Sequence, residues 1–239
     1  MKLSVKLSLL VLAAYLATAV FGEIQYRIAR VRDVTPAYGV VRPDARFLPP
    51  LAASPVDGRT YLLGTDNLGR SVALRLAQGT RIAFYVGILT SLIAIPLGVL
   101  LGLAGGYFGG KTDSAVNWLC ATVASMPGLL FILAIALVLG KGMAGLVVGI
   151  GLTTWVGTCR TIRAETLKHR DRAYVQAAKT LGYSPLRIMF RHILPNVAHV
   201  ILIQFAIRFP SAVSTEVFIS FLGIGVQGEP SWGVMINNA

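Results

Sequence analysis

Charged residues along the chain fall into clusters separated by long apolar stretches. Between Lys6 and Glu23 lie 16 uncharged residues, between Arg81 and Lys111 29, between Asp113 and Lys141 27, and between Lys141 and Arg160 18. A helix that crosses a bilayer needs about 20 mostly apolar residues. The second and third gaps predict spanning helices over 82–103 and 115–139, and the glycine-rich fourth predicts one over 143–159. A fifth stretch, 197–224, is apolar apart from Arg208 and Glu216. The first gap predicts a transmembrane helix within residues 1–22. Lys2 and Lys6, the apolar run after them and Ala17-Thr18-Ala19 also resemble a secretory signal peptide with its cleavage site. Val20-Phe21-Gly22 extends the apolar run beyond the small residues and favours retention as an anchor. The pattern predicts an all-α polytopic membrane protein, a helical bundle of five spans.

Composition agrees with that pattern. Of 239 residues only 13% are charged and 55% are hydrophobic, with mean hydropathy +0.69. Soluble domains carry about 25% charged residues, so a soluble enzyme or a disordered chain is excluded. Two cysteines, Cys120 and Cys159, form neither a disulfide framework nor a metal-ligand spacing. The net charge of +12 depends for its meaning on location. Residues 160–191 hold eight basic residues against Glu165 and Asp171, a net +6 in a loop short enough for the positive-inside rule. That loop is expected in the cytoplasm. Alternation then places the N-terminus and the 109–114 turn inside and residues 23–80 outside. The 23–80 segment is irregular until about Asn67, with Pro36, Pro43, Pro49, Pro50 and Pro55. Through Arg81 it carries nine arginines and five acids, Glu23, Asp33, Asp44, Asp57 and Asp66. Loops approaching about 60 residues translocate largely regardless of charge, so the 160–191 loop decides the orientation.

The run from Gly105 through Thr112, Gly-Gly-Tyr-Phe-Gly-Gly-Lys-Thr, fits the phosphate-loop pattern G-x-x-x-x-G-K-[ST]. That pattern works between a strand and a helix, whereas here it follows 29 uncharged residues, far too many for a strand. It is expected to be a glycine-rich helix exit and a tight turn closed by Lys111 and Asp113, and no nucleotide-binding residue is assigned there. Gly98, Gly102, Gly106 and Gly110 recur every four residues, as do Gly145 and Gly149, with Thr153 and Gly157 in the same phase. Small residues at that spacing let helices approach closely in lipid, within one bundle or between subunits. Pro96, Pro127 and Pro210 lie inside spans and favour kinks.

The cytoplasmic loop holds the most specific pattern. Helix formers run to Leu181, Gly182 suits the left-handed position that ends a helix, Ser184 is a good N-cap and Pro185 sits at N1. Leu186, Met189, Phe190 and Ile193 then form an apolar stripe opposite Arg187 and Arg191, and Pro195 is expected to end the second helix. Such a pair suits either lipid headgroups or a groove on a partner protein. Gln176-Ala177-Ala178, Gly182 and Leu194-Pro195 fall at the spacing of the E-A-A…G…I-x-L-P signature, with Gln176 replacing the Glu and His192 the Ile. The chain thereby resembles the inner-membrane permease subunits of binding-protein-dependent ABC importers. It is most similar to the C-type subunit of dipeptide, oligopeptide and nickel transporters. Gly64-Thr65-Asp66-Asn67-Leu68-Gly69-Arg70-Ser71, Ser220-Phe221-Leu222-Gly223-Ile224-Gly225-Val226 and Ser231-Trp232-Gly233 carry the likeness from Gly64 to the end.

The resemblance implies the type I ABC importer transmembrane fold over 81–239, with residues 160–196 as the coupling loop. It implies a non-catalytic subunit, without cofactor or metal, that forms half of a pathway with a second permease subunit. Two cytoplasmic ATPase subunits would seat on the coupling loop, and an extracytoplasmic binding protein would deliver the substrate in the plasma (inner) membrane of a bacterium or archaeon. Both peptides and nickel fit as substrate. The family norm is six spans, so the chain is expected to be truncated at its C-terminus. Glu216 and Arg208 are pathway candidates, because ionisable groups inside a span face the bundle interior or water. Glu216 equally suits a structural partner on a neighbouring helix. The alternatives are an ATP-independent channel or secondary transporter, against which stands the lack of an internal repeat, and a membrane-embedded enzyme. For the latter, His169, His192 and His199 lie in or beside the cytoplasmic loop and no paired carboxylates occupy a span.

Overall fold

A computed structural model describes residues 3–54 and 58–238 of the chain. Lys2, Pro55 and Asp57 lie outside the described residues. Apart from two short strands, β1 (Ala52–Ala53) and β2 (Thr60–Tyr61), the regular structure is helical. The helices are α1 (Leu3–Val31), α2 (Val72–Phe108), α3 (Gly110–Ala124), α4 (Gly128–Val138), α5 (Met143–Arg170), α6 (Ala173–Thr180), α7 (Pro185–Ile188), α8 (Leu194–Phe221) and α9 (Trp232–Asn237). Among the described residues four helices are long and apolar enough to cross a membrane, or five if the bent pair α3 and α4 is one span. The protein is an all-helical, multi-pass membrane protein.

Several boundaries differ from those expected. α1 runs unbroken through Ala17-Thr18-Ala19 to Val31, and α2 begins at Val72, so helix extends into both ends of the 23–80 segment. The third span is not one straight helix: α3 and α4 are bent by 87° across Ser125-Met126-Pro127. Pro127 has no N–H to donate and disfavours helix at the residue before it, so it becomes the extended N-cap of α4, with ψ 111°. The 109–114 turn shrinks to Gly109, and α3 starts at once. Lys111 and Asp113 do not close it between them; Asp113 instead accepts from Arg163 of α5, Nη2 at 2.6 Å.

The chain divides into two compact units, Met1–Val86 with Val213–Ala239, and Gly87–Ala212. In the first unit, α1 lies against the start of α2, where Gln78 donates to the Gly22 carbonyl at 2.7 Å. Arg81 donates to Glu23 at 2.7 Å and to Glu229 at 2.5 Å, with its guanidinium 3.8 Å over the Tyr26 ring. Trp232 closes on the bare flank of Gly79 and donates to the Leu76 carbonyl. The Gly64–Ser71 motif is a staple. Asp66 Oδ1 accepts from the backbone N–H groups of Leu68 and Arg70, both at 2.9 Å, and Oδ2 accepts from Arg70 Nε at 2.8 Å. Burial opposes ionisation of Asp66, but these backbone and guanidinium donors outweigh it and hold the carboxyl below its usual range.

In the second unit the four-residue glycine spacing joins α2 to α5. A Cβ on Gly98, Gly102 or Gly106 would come within 2.7 Å of Thr158, the Cys159 carbonyl or Thr166, so the helices meet almost backbone to backbone. Gly110 is outside this contact, with nothing near it. Gly145 and Gly149 do the same for α4 and α5 at Ala136 and Ile132. Ile95, Val99 and Leu103 of α2 and Ile162 of α5 share one buried cluster with Val175, Ala178, Ile188, Met189 and Ile193. The core therefore reaches down into the short helices α6 and α7.

Candidate functional site

The segment 173–193 is built around one local reversal. α6 ends at Thr180, and Gly182 takes φ +76°, a backbone region that a side chain would disfavour. Ser184 then accepts from the Arg187 N–H at 3.4 Å as N-cap, with Pro185 at the first helical position. Tyr183 at the reversal has the Arg187 guanidinium 4.2 Å from its ring centre and is stacked with His192 at 5.6 Å. His192 is thus a ring partner in place of an apolar core residue.

The second helix does not stop at Pro195. α7 passes through a π-helical turn, Met189–Ile193, directly into α8. Pro195 removes one ladder bond and its ring crowds the carbonyl one turn back; the wider π-turn just before it lets the helix continue. The buried face also differs from the expected stripe. Met189 and Ile193 are buried as expected, but Leu186 and Phe190 face outward, 61% and 45% exposed, and Ile188 takes the inward place. Each inward side chain contributes about 1.5–3 kcal/mol of burial, which seats the pair firmly on the unit's core.

The outward surface carries Leu181, Leu186 and Phe190 among Arg172, Lys179, Arg187 and Arg191. Gln176 and Ala177 are exposed on it and Ala178 is buried. Gln176 Nε2 donates to the Arg170 carbonyl at 3.2 Å, closing the end of α5. A glutamate, which accepts only when ionised, could not make this bond. Leu194 is half-buried and Pro195 exposed. Of the sequence-derived coupling residues, Gln176, Ala177, Ala178 and Gly182 are brought together on α6 and its turn, whereas Leu194 and Pro195 belong to the start of α8.

The two pathway candidates have different surroundings. Glu216 is 1% exposed in the first unit, accepts from Ser220 at 2.7 Å, and is also hydrogen-bonded by Ser231. Both of these partners are serine hydroxyls, one on the same helix and one at the N-cap of α9. Arg208 lies in the second unit, half-buried, donating from Nε to the Thr158 hydroxyl at 2.6 Å and from Nη1 to the Thr154 carbonyl. One turn earlier Gln204 donates to Thr161 at 3.4 Å, so α8 and α5 share a polar ladder. Reading the sequence missed Thr154, Thr158 and Thr161; their spacing of three and four residues on α5 is the signal that could have revealed them. The outward turn of Phe190 was missed as well, because a π-turn has no simple spacing signal. Gly105 and Gly106 of the phosphate-loop-like run lie inside α2, where Gly106 packs on Thr166 of α5 and no strand precedes it.

The family described as binding-protein-dependent transport system inner membrane component matches residues 94–239. The chain is 37% identical over 179 residues to a dipeptide transport system permease protein of Bacillus subtilis, covering 74% of this chain and 56% of that one. It is 32% identical over 189 residues to the oligopeptide transport system permease protein of the same organism, covering 79% and 62%. A glutathione transport system permease protein of Pectobacterium atrosepticum is 35% identical over 180 residues, covering 75% and 60%. The matched stretch thus spans little more than half the length of these relatives. By the match over the greater part of its length, the chain belongs to the family of binding-protein-dependent transport system inner membrane components.

Proposed function

We propose that the protein is a permease subunit of an ATP-driven importer of peptides, which forms half of a translocation pathway with a second permease subunit and works by alternating access. Residues 173–193 are the coupling element: an ATPase subunit seats on the exposed Leu181, Leu186 and Phe190 and on the basic residues that rim them, with Gln176, Ala177, Ala178, Gly182, Leu194 and Pro195 shaping its seat. The observation that carries this reading is that the helix pair is apolar on both sides. One side is buried in the core beneath α2 and α5, and the other is open, as a rigid lever between a partner and the spans requires. A switch of this kind needs contacts that differ between its two states, and a helix pair continuous with a spanning helix supplies them.

The subunit is non-catalytic: ATP is hydrolysed on two separate cytoplasmic ATPases, and an extracytoplasmic binding protein presents the substrate. The N-terminus and residues 160–196 lie in the cytoplasm of a bacterial or archaeal cell, and residues between α1 and α2 lie outside. Residues 1–22 belong to the first membrane helix, 23–80 to the extracytoplasmic segment and its helical margins, and 81–239 to the transmembrane domain. Peptides are favoured over nickel as substrate because the similar proteins are named for dipeptide, oligopeptide and glutathione transport. Co-purification of tagged protein with ATPase subunits, followed by peptide uptake into proteoliposomes with and without internal ATP, tests the reading. ATP-dependent uptake is expected; uptake indifferent to ATP, or a complex devoid of ATPase, would sink it and favour a channel.

A further inference from the structure

Cys120 and Cys159 are the two cysteines of the chain, and nothing in their separation of 39 residues predicts that they meet. In the second unit α3 and α5 bring them into contact, the Cys120 thiol donating to Cys159 Sγ at 3.6 Å. The two helices run antiparallel along this seam. Asp113 of α3 pairs with Arg163 of α5, while Cys120, two turns further along α3, meets Cys159, one turn back along α5. The ion pair and the thiol pair thus fix one register at two levels. Both cysteines are enclosed, Cys120 at 2% and Cys159 at 0% exposure, in a cluster with Ala94, Val116, Trp155 and Val156. Among the described residues no group of three His, Cys, Asp or Glu could hold a metal ion, so what the pair offers is the chemistry of two thiols. At 3.6 Å the sulfurs touch. A disulfide needs them about 2 Å apart, and rotation about each Cα–Cβ bond is the motion that closes the gap.

We propose that Cys120 and Cys159 are an oxidation site, at which a hydroperoxide converts the two thiols into an intramolecular disulfide that clamps α3 to α5. This chemistry is independent of what the protein transports. One sulfur attacks the peroxide: an S–O bond forms, the O–O bond breaks, and the thiol proton leaves with the departing oxygen as water or an alcohol. The second sulfur then attacks the sulfenic sulfur: the S–S bond forms, the S–O bond breaks, and the second thiol proton leaves with the hydroxyl as water. The two thiols give up two electrons and the peroxide takes them up. Cys120 lies about 15 Å along α3 from Gly110, so the reagent must be small and uncharged, as hydrogen peroxide is. Enclosure slows the first step, but it also decides the second. The nucleophile in contact with the sulfenic acid is the partner thiol, whose effective concentration far exceeds that of any dissolved peroxide or thiol.

The test treats the full chain with hydrogen peroxide in its native membranes, blocks free thiols with N-ethylmaleimide under denaturing conditions, and digests it without reductant. Mass spectrometry is expected to find the peptides holding Cys120 and Cys159 joined, about 2 Da lighter together than the two free-thiol peptides, and parted by dithiothreitol. The purified oxidised protein should unfold about 5 °C or more above the reduced protein, because the bond closes the 39 residues between the cysteines. Cys120→Ala should show neither the joined peptides nor the upward shift, and Cys159→Ala takes its place if that variant does not accumulate. Recovery of both thiols as maleimide adducts after peroxide overturns the site. So does a disulfide between two chains, or oxidation of one sulfur to the sulfinic acid with no joined peptides. Joined peptides with an unchanged unfolding midpoint overturn the clamp.

Discussion

Gln176, Asp66 and Gly102 each hold a position for a reason that a single substitution exposes. Gln176 stands where the family signature has an acid, and its amide N–H caps the last carbonyl of α5, that of Arg170. Gln176→Glu removes that donor, and the expected cost is about 0.5–1.5 kcal/mol, the usual net worth of one hydrogen bond, read as a lowered midpoint in detergent unfolding. Asp66 has a folded-state pKa below its unfolded one. Such a group adds stability above its unfolded pKa, and that contribution vanishes as pH falls through the folded value. Amide exchange across 42–72 should therefore be flat from pH 7 to about 5 after correction for intrinsic rates, and protection should drop below about pH 4. Asp66→Asn should abolish that acid step. Gly102 faces the Cys159 carbonyl, so Gly102→Leu overpacks the joint between α2 and α5. A loss of about 1–3 kcal/mol is expected, seen as a lowered unfolding midpoint of the purified protein.

At the scale of elements the short helices α6 and α7 do the most with the fewest residues. Their reversal is legible locally: a left-handed glycine, a serine cap and a proline at N1 are each adjacent in sequence and act within one turn. The face that α7 buries was legible only in part, because Ile188 and not Leu186 takes the inward place, while the π-turn at Met189–Ile193 resets the phase only of the residues after it. Leu186→Ser with Phe190→Ser changes only outward side chains, so chain abundance and unfolding midpoint should hold within about 0.5 kcal/mol. ATPase co-purification and ATP-driven uptake should fall at least tenfold; undiminished uptake would remove these residues from the partner's seat. The bend between α3 and α4 had its cause in plain view at Pro127, but the size of the bend, 87°, depends on what α4 packs against, namely the glycine flank of α5.

For the whole molecule the testable statement is its orientation. The native cysteines are buried, Cys120 at 2% and Cys159 at 0% exposure, so introduced cysteines report alone. Arg46→Cys should react with a membrane-impermeant maleimide on intact cells, and Arg191→Cys only after lysis, measured by gel shift. The reverse pattern would invert the topology. A net +6 over 160–191 is what makes the first outcome the expected one.

The presence of the long apolar helices, the helix reversal at Gly182 and the family motifs were determined by the sequence alone. Each depends on properties counted along the chain: apolar length against bilayer thickness, a glycine where φ must be positive, a cap one turn from its donor. Partnerships between distant residues were decided only by the tertiary structure. Asp113 leaves its own turn for Arg163, 50 residues away, and Arg208 settles on Thr154 and Thr158 rather than on an acid. Glu216 turns inward to Ser220 and Ser231. Periodicity places such a side chain on a face of its helix, but which neighbour meets that face depends on how closely the glycine stripes let the helices approach and on where a proline or a π-turn resets the phase.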